Sequence, residues 1–525
     1  MDFASQVKRL RAGLAPEFPA HADGLEYAQT LDAQDELGHL RDEFILPTKG
    51  SLKKTALDGV LPGADVHPTL LNGTHTSNGH RDGQENGADA NSQPNNNSNT
   101  SSDDDSSPAI YFVGNSLGAQ PKAVRKYLDA HLETWASLGV NGHFSDLEGS
   151  PLVAWQHMAD DCAKKSADMV GASPGEIVIM NTLTANLHLM LASFYKPTAK
   201  RHKIIMEWKP FPSDYYAVES QIRWHGLDPA TSLITIQPDA DFRIATDKIL
   251  SAIDEHADSA ALLLLPGVQY YSGQLFDMVR ITRRAHDRGL VAGWDLAHAA
   301  GNVELALHDW DVDFAVWCTY KYINAGPGSI AGAFVHDRHG KVDYPANGGG
   351  APSFRPRLSG WYGGDVSVRF DMDNVFRPAP GASGFQLSNP SAADLASLSA
   401  ALSVFGRTSM AALRSKSLVL TAYAEYLLKG ILAGVGGGGG RGGGGEKGPP
   451  FRILTPENPL ERGAQLSVLL RPGLLERVGA ALKSGGVVCD QRKPDVIRVA
   501  PVPMYCTFSD VWMFMKIFRE SLQVD

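Results

Sequence analysis

A regular alternation of short apolar runs with longer helix-like segments occupies the middle of this chain. The apolar runs span residues 176–180, 203–206, 261–265, 290–294 and 314–317, and helix-like segments such as 186–195 and 247–256 lie between them. Strands that alternate with helices build a mostly parallel sheet with helices on both faces. The pattern therefore predicts an α/β fold, in which ligands bind at the carboxyl ends of the strands.

The last of these runs leads to a lysine. Residues 313–324 read Asp-Phe-Ala-Val-Trp-Cys-Thr-Tyr-Lys-Tyr-Ile-Asn, and small, turn-forming residues follow from 325 to 332. A single lysine after a strand usually extends its ammonium group to the solvent. Lys321 could instead form a Schiff base with a carbonyl cofactor, because burial lowers the pKa of an amine and frees the nucleophile. The other strand ends decide between these alternatives.

Three other strand ends carry residues that suit a phosphorylated, planar cofactor. Thr182 and Thr184 follow the first run, where a helix N-terminus could seat a phosphate or a threonine could simply cap the helix. Phe211 follows the second run and offers a ring that can stack on a planar ligand. Asp295 and His298 follow the fourth run. Alternatives for these two are a helix cap or ion pair for the carboxylate, and a hydrogen-bonded core position for the imidazole.

These residues together match the needs of pyridoxal 5'-phosphate. That cofactor requires a lysine for the Schiff base, a carboxylate that keeps the pyridine nitrogen protonated, an aromatic ring on its face, and N–H or hydroxyl donors for its phosphate. Lys321, Asp295, Phe211 and Thr184 supply one each, at separate strand ends. Packing alone does not explain such a set. The sequence therefore predicts a pyridoxal-phosphate enzyme, with no metal.

Seven short motifs occur along the chain at the predicted site and beyond it. They are Gly-Asn-Ser-Leu-Gly at 114–118, Leu-Thr-Ala-Asn-Leu-His at 183–188, Phe-Pro-Ser-Asp at 211–214, Asp-Leu-Ala-His at 295–298, Tyr-Lys-Tyr-Ile-Asn-Ala-Gly at 320–326, Gly-Trp-Tyr-Gly at 360–363 and Arg-Val-Ala-Pro-Val-Pro at 498–503. Together these motifs resemble the kynureninase family. The resemblance extends from about residue 110 to the C-terminus and includes the N-terminal helix. It implies the aspartate-aminotransferase-like fold (PLP fold type I) and a homodimer with active sites at the subunit interface. It also implies hydrolysis of L-kynurenine or 3-hydroxy-L-kynurenine to the anthranilate and L-alanine, on the route from tryptophan to NAD.

The same resemblance implies roles for individual residues. Lys321 would form the Schiff base, Asp295 would hold the pyridine nitrogen, and Phe211 would stack on the ring. The other expected cofactor-binding positions are Leu183, Thr184, Pro212, Ser213, Asp214, His298 and Tyr320, with Trp361 and Asn389 completing the site from the partner subunit. Arg498 would bind the substrate α-carboxylate in a bidentate contact, and His143 is a candidate for the aromatic end. Either Tyr320 or the cofactor phosphate is also expected to assist the addition of water to the substrate ketone.

Pro266 departs from the family pattern. Several relatives carry a serine at this position, whereas this chain reads Leu-Pro-Gly-Val at 265–268. Proline offers neither a side-chain hydroxyl nor a backbone N–H. We therefore expect one phosphate contact fewer at this turn.

Two stretches of biased composition interrupt the chain. Residues 74–107 are rich in Asn, Ser, Asp and Gly, which predicts a disordered insert, and residues 436–448 form a glycine-rich loop. We expect an N-terminal helical segment over 1–48, the low-complexity insert within 49–107, a large cofactor-binding domain over 108–385 and a smaller C-terminal α+β domain over 386–525. Leu37, Leu40 and Phe44 recur at helical spacing, which predicts an amphipathic helix over 31–44.

Charge and cysteine usage narrow the partners and the rival functions. A net charge of −10, from 48 basic and 58 acidic residues without a dense basic run, argues against binding to nucleic acid or to a membrane. With no signal-peptide pattern and no apolar run of the ~20 residues that span a bilayer, we expect a cytoplasmic protein. The four scattered cysteines predict reduced packing residues. An aminotransferase or a cysteine desulfurase of the same fold is the rival enzyme. A desulfurase needs a reactive cysteine on a mobile loop, whereas Cys489 lies in an apparent short strand. The intact Lys321 and Asp295 argue against a catalytically dead scaffold.

Overall fold

The structure is a computed structural model and describes residues 2–62, 105–344, 351–436 and 448–522. Most of the predicted disordered insert and of the predicted glycine-rich loop therefore lies outside the described residues. Among the helices of the described ranges, none has the length and apolar character needed to cross a membrane.

The N-terminal segment contains two helices, and its elements differ from the helix predicted over 31–44. It contains α1 (Phe3–Arg11), α2 (Leu25–Ala33), a 3-10 turn (Gly38–Glu43) and the short strand β1 (Phe44–Ile45). The amphipathic helix predicted over 31–44 is wrong beyond the end of α2. The side chain of Asp35 accepts a hydrogen bond from Leu37 N–H and forms a buried ion pair of 2.6 Å with Lys416, and both contacts turn the chain out of the helix.

Seven strands form the central sheet. Their bounds, after the short strands β2 (Ile110–Tyr111) and β3 (Gln120–Pro121), are β4 (Ile177–Met180), β5 (Lys203–Glu207), β6 (Leu233–Ile236), β7 (Ala260–Pro266), β8 (Val291–Asp295), β9 (Phe314–Trp317) and β10 (Ala331–Val335). The spatial order is β4-β10-β9-β8-β7-β5-β6, with β10 antiparallel to both of its neighbours and the other pairs parallel. The predicted mostly parallel sheet is confirmed, with two strands, β6 and β10, that the apolar runs did not predict.

Helices cover both faces of this sheet. The helices from β3 to the start of the C-terminal part are α3 (Ala123–Leu138), α4 (Met158–Val170), α5 (Leu183–Phe194), α6 (Pro212–Trp224), α7 (Pro229–Ser232), α8 (Thr246–Glu255), α9 (Met278–Asp287), α10 (Asp337–Gly340), α11 (Ala392–Phe405) and α12 (Met410–Gly436). Along β7, Leu263 and Leu265 belong to one buried apolar cluster, whereas Leu262 and Leu264 belong to another. Successive side chains of a strand point to opposite faces, so an all-apolar strand needs a core on each side.

The C-terminal part is a smaller α+β unit. After the short pair β11 (Val342–Asp343) and β12 (Ser353–Phe354), its strands are β13 (Phe451–Ile453), β14 (Leu466–Leu470), β15 (Val487–Val488), β16 (Asp490–Arg492) and β17 (Val496–Val499), and its helices are α13 (Leu475–Ser484) and α14 (Phe508–Leu522). Four strands pair antiparallel in the order β13-β14-β17-β16, while β15 pairs with β2. The residue numbers at which the predicted domains divide stay a prediction.

Candidate active site

The turns that follow five strands of the central sheet meet around one cavity of about 200 Å³. The strands are β4, β5, β7, β8 and β9. The cavity is lined by Leu183, Thr184, Phe211, Ser213, Asp214, Pro266, Val268, Tyr270, Asp295, Ala297, His298, Tyr320 and Lys321. The cavity thus lies where the strand-end rule predicts a ligand.

Nine of the predicted site residues line this cavity, namely Leu183, Thr184, Phe211, Ser213, Asp214, Asp295, His298, Tyr320 and Lys321. Their individual roles stay predictions. Sequence reasoning missed Val268, Tyr270 and Ala297. The rule that located the other residues could have located Tyr270 too, because this residue follows the end of β7 by four positions.

A tight turn after β9 holds Lys321 in place. Ala325 N–H donates to the Thr319 carbonyl oxygen, Asn324 N–H donates to the Lys321 carbonyl oxygen, and Asn324 has a positive φ of 64°. The turn packs against Gly118, where an added Cβ would lie 2.3 Å from the Lys321 carbonyl oxygen. Only a glycine allows so close an approach. The glycine that ends the motif at 114–118 therefore shapes the lysine turn.

Lys321 is nearly buried and lies beside an imidazole. Its Nζ is 3.1 Å from His298 Nε2 and 5.8 Å from the centre of the Phe211 ring. Burial, and then the charge of Lys321, hold the pKa of His298 well below its usual value. His298 is therefore neutral, and its Nε2 can accept a hydrogen bond from the ammonium group. Its Nδ1 has no hydrogen-bond partner among the described residues.

Two buried carboxyl groups face each other in the lining. Asp295 ends β8, and its Oδ1 accepts a hydrogen bond of 2.8 Å from Ala297 N–H. Asp214 lies in the first turn of α6, and burial, followed by the charge of Asp295, raises its pKa well above the usual value. Asp214 therefore favours its protonated form. Its Oδ1 has no partner in the described part of the chain, so a polar group of a ligand could bind there.

Hydroxyl groups and two helix N-termini form another part of the lining. Thr184 Oγ1 and Ser213 Oγ lie 2.6 Å apart, in the first turns of α5 and α6. The free N–H groups and the positive dipole end of a helix favour an anion such as a phosphate. Pro266 also lines the cavity. The loss of one phosphate contact at this turn stays a prediction.

Five predicted residues lie outside the cavity lining, namely Pro212, Trp361, Asn389, Arg498 and His143. Pro212 begins α6 between two residues of the lining. Trp361 and Asn389 are exposed, and the half-buried His143 packs edge-on against Trp155. Arg498 is buried in β17 behind Tyr270, with Nη1 on the Tyr270 carbonyl oxygen at 2.9 Å and Nη2 on Asp490.

Comparisons with known proteins agree with this fold. Among solved structures, a C-DES mutant with glycine covalently linked to the PLP cofactor has a TM-score of 0.61 at 16% identity, covering 78% of this chain and 96% of that chain. The cysteine desulfurase CsdA from Escherichia coli has a TM-score of 0.60 at 17% identity, covering 79% and 95%. The predicted aspartate-aminotransferase-like fold is confirmed. At such low identity the likeness concerns the fold alone.

Sequence comparisons identify the family. The aminotransferase class-V profile matches residues 110–433, and the kynureninase C-terminal domain profile matches residues 441–518. Kynureninase 1 from Neurospora crassa is 63% identical over 523 residues, covering 99% of each chain. Kynureninase from Pyricularia oryzae is 59% identical over 506 residues, covering 96% of each chain. The resemblance inferred from the seven motifs is confirmed, and this chain belongs to the kynureninase family.

Proposed function

We propose that this protein hydrolyses the Cβ–Cγ bond of L-kynurenine and of 3-hydroxy-L-kynurenine. The products would be anthranilate or 3-hydroxyanthranilate and L-alanine, a step of tryptophan catabolism and of NAD biosynthesis. The observation that carries the proposal is a nearly buried lysine, Lys321, in a cavity with Asp295 and Phe211, in a chain of the kynureninase family.

The cavity fits pyridoxal 5'-phosphate as the cofactor. Lys321 would hold it covalently, and the carboxyl groups of Asp295 and Asp214 would face its pyridine nitrogen. Phe211 offers a ring face, and the hydroxyl groups of Thr184 and Ser213 suit the phosphate. The unpartnered buried atoms of Asp214 and His298 are the kind of groups that a bound polar ligand satisfies. When bound, the cofactor supplies an electron sink for negative charge at the neighbouring substrate carbon.

Different side chains of the site would carry out the separate proton transfers of the reaction and bind the substrate. Lys321 Nζ, once free, is the base at the substrate α-carbon, and the neutral His298 holds this amine within the cavity. Burial raises the pKa of Tyr320, so its phenol keeps its proton and can donate to the substrate ketone oxygen when water adds. Asp295 would keep a proton on the ring nitrogen of the bound cofactor. Arg498 binds the α-carboxylate through its guanidinium.

A homodimer is part of the proposal, as is the cytoplasmic location. Trp361 is 51% exposed and lies in an apolar surface together with Phe144 and Phe370; the ring of Phe370 is 6.0 Å from that of Phe144 and 5.5 Å from that of Trp361. Exposed apolar surface of this kind favours covering by another protein surface. A second copy would bring Trp361 and Asn389 of each subunit towards the cavity of the other.

A product assay tests this function. The purified holoenzyme is incubated with L-kynurenine, 3-hydroxy-L-kynurenine or L-cysteine, and the anthranilates, alanine and sulfide are measured. We expect anthranilate or 3-hydroxyanthranilate in equal amount to alanine, and the two values of kcat/KM give the preferred substrate. Sulfide without an anthranilate would instead indicate the desulfurase. Burial raises the pKa of the Cys489 thiol to about 12, which disfavours the reactive thiolate that a desulfurase needs.

A further inference from the structure

A buried turn between β7 and α9 links the cavity to the small domain. The side chain of Tyr270 in this turn lines the cavity, and its ring meets that of Phe211 edge-on with the centroids 5.5 Å apart. The Tyr270 carbonyl oxygen accepts hydrogen bonds from Arg498 Nη1 and from Gln465 Nε2, each of 2.9 Å. The position of this one carbonyl group therefore helps to set where the guanidinium of Arg498 lies.

Gln269 holds this turn in shape. Its side-chain oxygen accepts hydrogen bonds of 2.7 Å from both Tyr271 N–H and Ser272 N–H. Its amide nitrogen donates to Glu207 Oε1 and to the Lys209 carbonyl oxygen, each at 3.1 Å. The residue is 3% exposed, so water cannot readily replace these bonds. Both polar atoms of the side chain are thus committed to the turn or to the end of β5.

Glu207 anchors the other end of this connection. It is the last residue of β5 and is fully buried, and its Oε2 accepts a hydrogen bond of 2.7 Å from Lys209 N–H. Burial raises the pKa of Glu207 to about 7. The reaction proposed above assigns no step to Glu207, which lies outside the cavity lining. A buried carboxyl group is costly to the fold, and the hydrogen bonds that Glu207 accepts from Lys209 N–H and Gln269 Nε2 link the end of β5 to the turn.

We propose that Glu207 and Gln269 are positioning residues for recognition of the substrate α-carboxylate. They fix the turn that carries Tyr270, and the Tyr270 carbonyl group together with Asp490 fixes the guanidinium of Arg498. With Nη1 and Nη2 held in this way, Nε of Arg498 has no hydrogen-bond partner among the described residues. This inference rests on the proposed function, because it assumes that Arg498 binds the carboxylate of an amino-acid substrate.

A pair of substitutions exchanges the donor and the acceptor of the Glu207–Gln269 contact. Gln269→Glu places a second carboxyl group against Glu207. The other charged or ionisable groups around Glu207 are Lys209, Asp214 and Tyr270. A carboxyl group has at most one proton to donate, whereas the amide of Gln269 donates to Glu207 and to the Lys209 carbonyl oxygen, so we expect KM for L-kynurenine to rise roughly tenfold, the equivalent of one lost buried hydrogen bond. The double variant Glu207→Gln with Gln269→Glu again sets a donor against an acceptor. Its KM should fall below that of Gln269→Glu, although the Lys209 carbonyl oxygen still lacks its amide donor.

The outcomes separate positioning from general damage. An unchanged KM in Gln269→Glu overturns the proposal, and so does an equal rise in the single and double variants. If Gln269→Glu fails to fold, Glu207→Gln and the double variant carry the test: the first should raise KM and the second should lower it again. The control is Glu176→Gln, which alters another buried carboxylate outside the cavity lining and should leave KM unchanged.

A binding measurement keeps this inference separate from the proposed function. L-alanine and ethylamine, which lacks the carboxylate, are titrated into the holoenzyme by calorimetry. The Gln269→Glu variant should bind L-alanine roughly tenfold more weakly and ethylamine unchanged. Equal weakening of both ligands would contradict a carboxylate-specific role. Since no turnover is needed, an inactive protein that retains this preference would disprove the proposed function but not the positioning.

Discussion

The amino ends and the carboxyl ends of the strands form two opposite edges of the central sheet, and both edges bury carboxyl and imidazole groups. The two edges differ in whether these groups have hydrogen-bond partners. At the amino ends of the strands, Asp313 accepts hydrogen bonds of 2.6 to 2.9 Å from four donors, namely Ala292 N–H, His286 Nε2, Arg338 Nη2 and His339 Nε2. At the carboxyl ends, Asp214 Oδ1 and His298 Nδ1 have no partner in the described residues. One edge is closed by its own contacts, and the other is left open to a ligand.

Glu176 repeats the closed arrangement at the start of β4. Its two oxygens accept hydrogen bonds from Ser173 N–H, Ser173 Oγ, Asp337 N–H and His308 Nδ1. Ligand atoms of Glu176, His308, His336 and Asp337 lie within 4.8 Å of one another, a spacing that could also suit a metal ion. Because both oxygens of Glu176 are already occupied, these contacts are explained as a junction between three segments of the chain.

The pKa values of the two aspartates express the same contrast. Although burial opposes ionisation, hydrogen bonds from His286, His339, Ala292 and Arg338 hold the pKa of Asp313 far below its usual value. The pKa of Asp214 moves the opposite way, through burial and the charge of Asp295. A buried carboxylate with four donors stabilises the fold, whereas one without donors keeps its proton and stays available for chemistry.

The largest expected effect comes from Lys321→Ala at the open edge. Removal of the amine removes the covalent link to the cofactor and the base at the α-carbon. We expect kcat to fall at least about 10³-fold and the absorbance band of the lysine-bound cofactor to disappear. The matched control is Lys203→Ala at the amino end of β5, which should keep both. Retention of the band in Lys321→Ala would refute the assignment.

Asp295→Asn should have the next largest effect. Asparagine can still accept the hydrogen bond from Ala297 N–H, so the local geometry survives while the negative charge is lost. We expect cofactor to remain bound and kcat to fall about 10²-fold, because the charge that keeps the ring nitrogen protonated is gone. The absorbance spectrum of the purified variant measures the bound cofactor, and steady-state rates measure kcat. Near-normal turnover would remove Asp295 from its proposed role.

At the closed edge, Asp313→Asn should act on stability and not on catalysis. The substitution leaves Arg338 and two histidines without their buried anion, which costs about 3 kcal/mol of folding free energy. Thermal unfolding of the holoenzyme measures this loss, and kcat/KM per folded active site should not change. A loss of activity without a fall in the unfolding midpoint would break the contrast between the edges.

The pH dependence of that loss has a defined sign. The lowered pKa of Asp313 means that its stabilisation is present above about pH 4 and is lost as the pH falls through the folded value. The hydrogen bond that His286 donates to Asp313 raises the pKa of His286, so that contribution is full below about pH 6.5 and is lost above the folded value. The difference between the original protein and Asp313→Asn should therefore be greatest between about pH 4 and 6.5.

The sequence predicted the open edge better than the rest of the molecule. Continuous apolar runs indicate strands that are buried on both faces, and polar residues after such runs fall at one edge of a parallel sheet. The sequence does not predict strand β10, because its first residues, Ala331 and Gly332, continue the run of small, turn-forming residues that begins at 325. Gly332 is small for a tertiary reason, since an added Cβ would lie 2.3 Å from the Trp317 ring.

The supports behind the cavity could not be predicted in the same way. Glu207 and Gln269 lie on different segments, and their contact depends on how the turn after β7 folds back on the end of β5. The pairing of Asp35 with Lys416, which joins residues far apart in sequence, likewise overrode helical periodicity in the N-terminal segment. Local patterns specify strands and their ends, whereas such long-range contacts follow only from the assembled fold.

Asp214→Asn should have the smallest effect of these substitutions. Compared with Asp313→Asn, it tests whether replacing a buried aspartate by asparagine changes stability in opposite directions at the two edges. The raised pKa of Asp214 means that its folded state is favoured at low pH and loses stability as the pH rises from about 4 towards the folded value. Asparagine resembles the protonated carboxyl group and does not ionise. We expect stability equal to that of the original protein near pH 4 and greater than that of the original protein near pH 8, with kcat changed only a few-fold. Thermal unfolding at both pH values measures the sign. If Asp214→Asn destabilises the protein as Asp313→Asn does, Asp214 is a structural anion, and the distinction between an open and a closed edge fails.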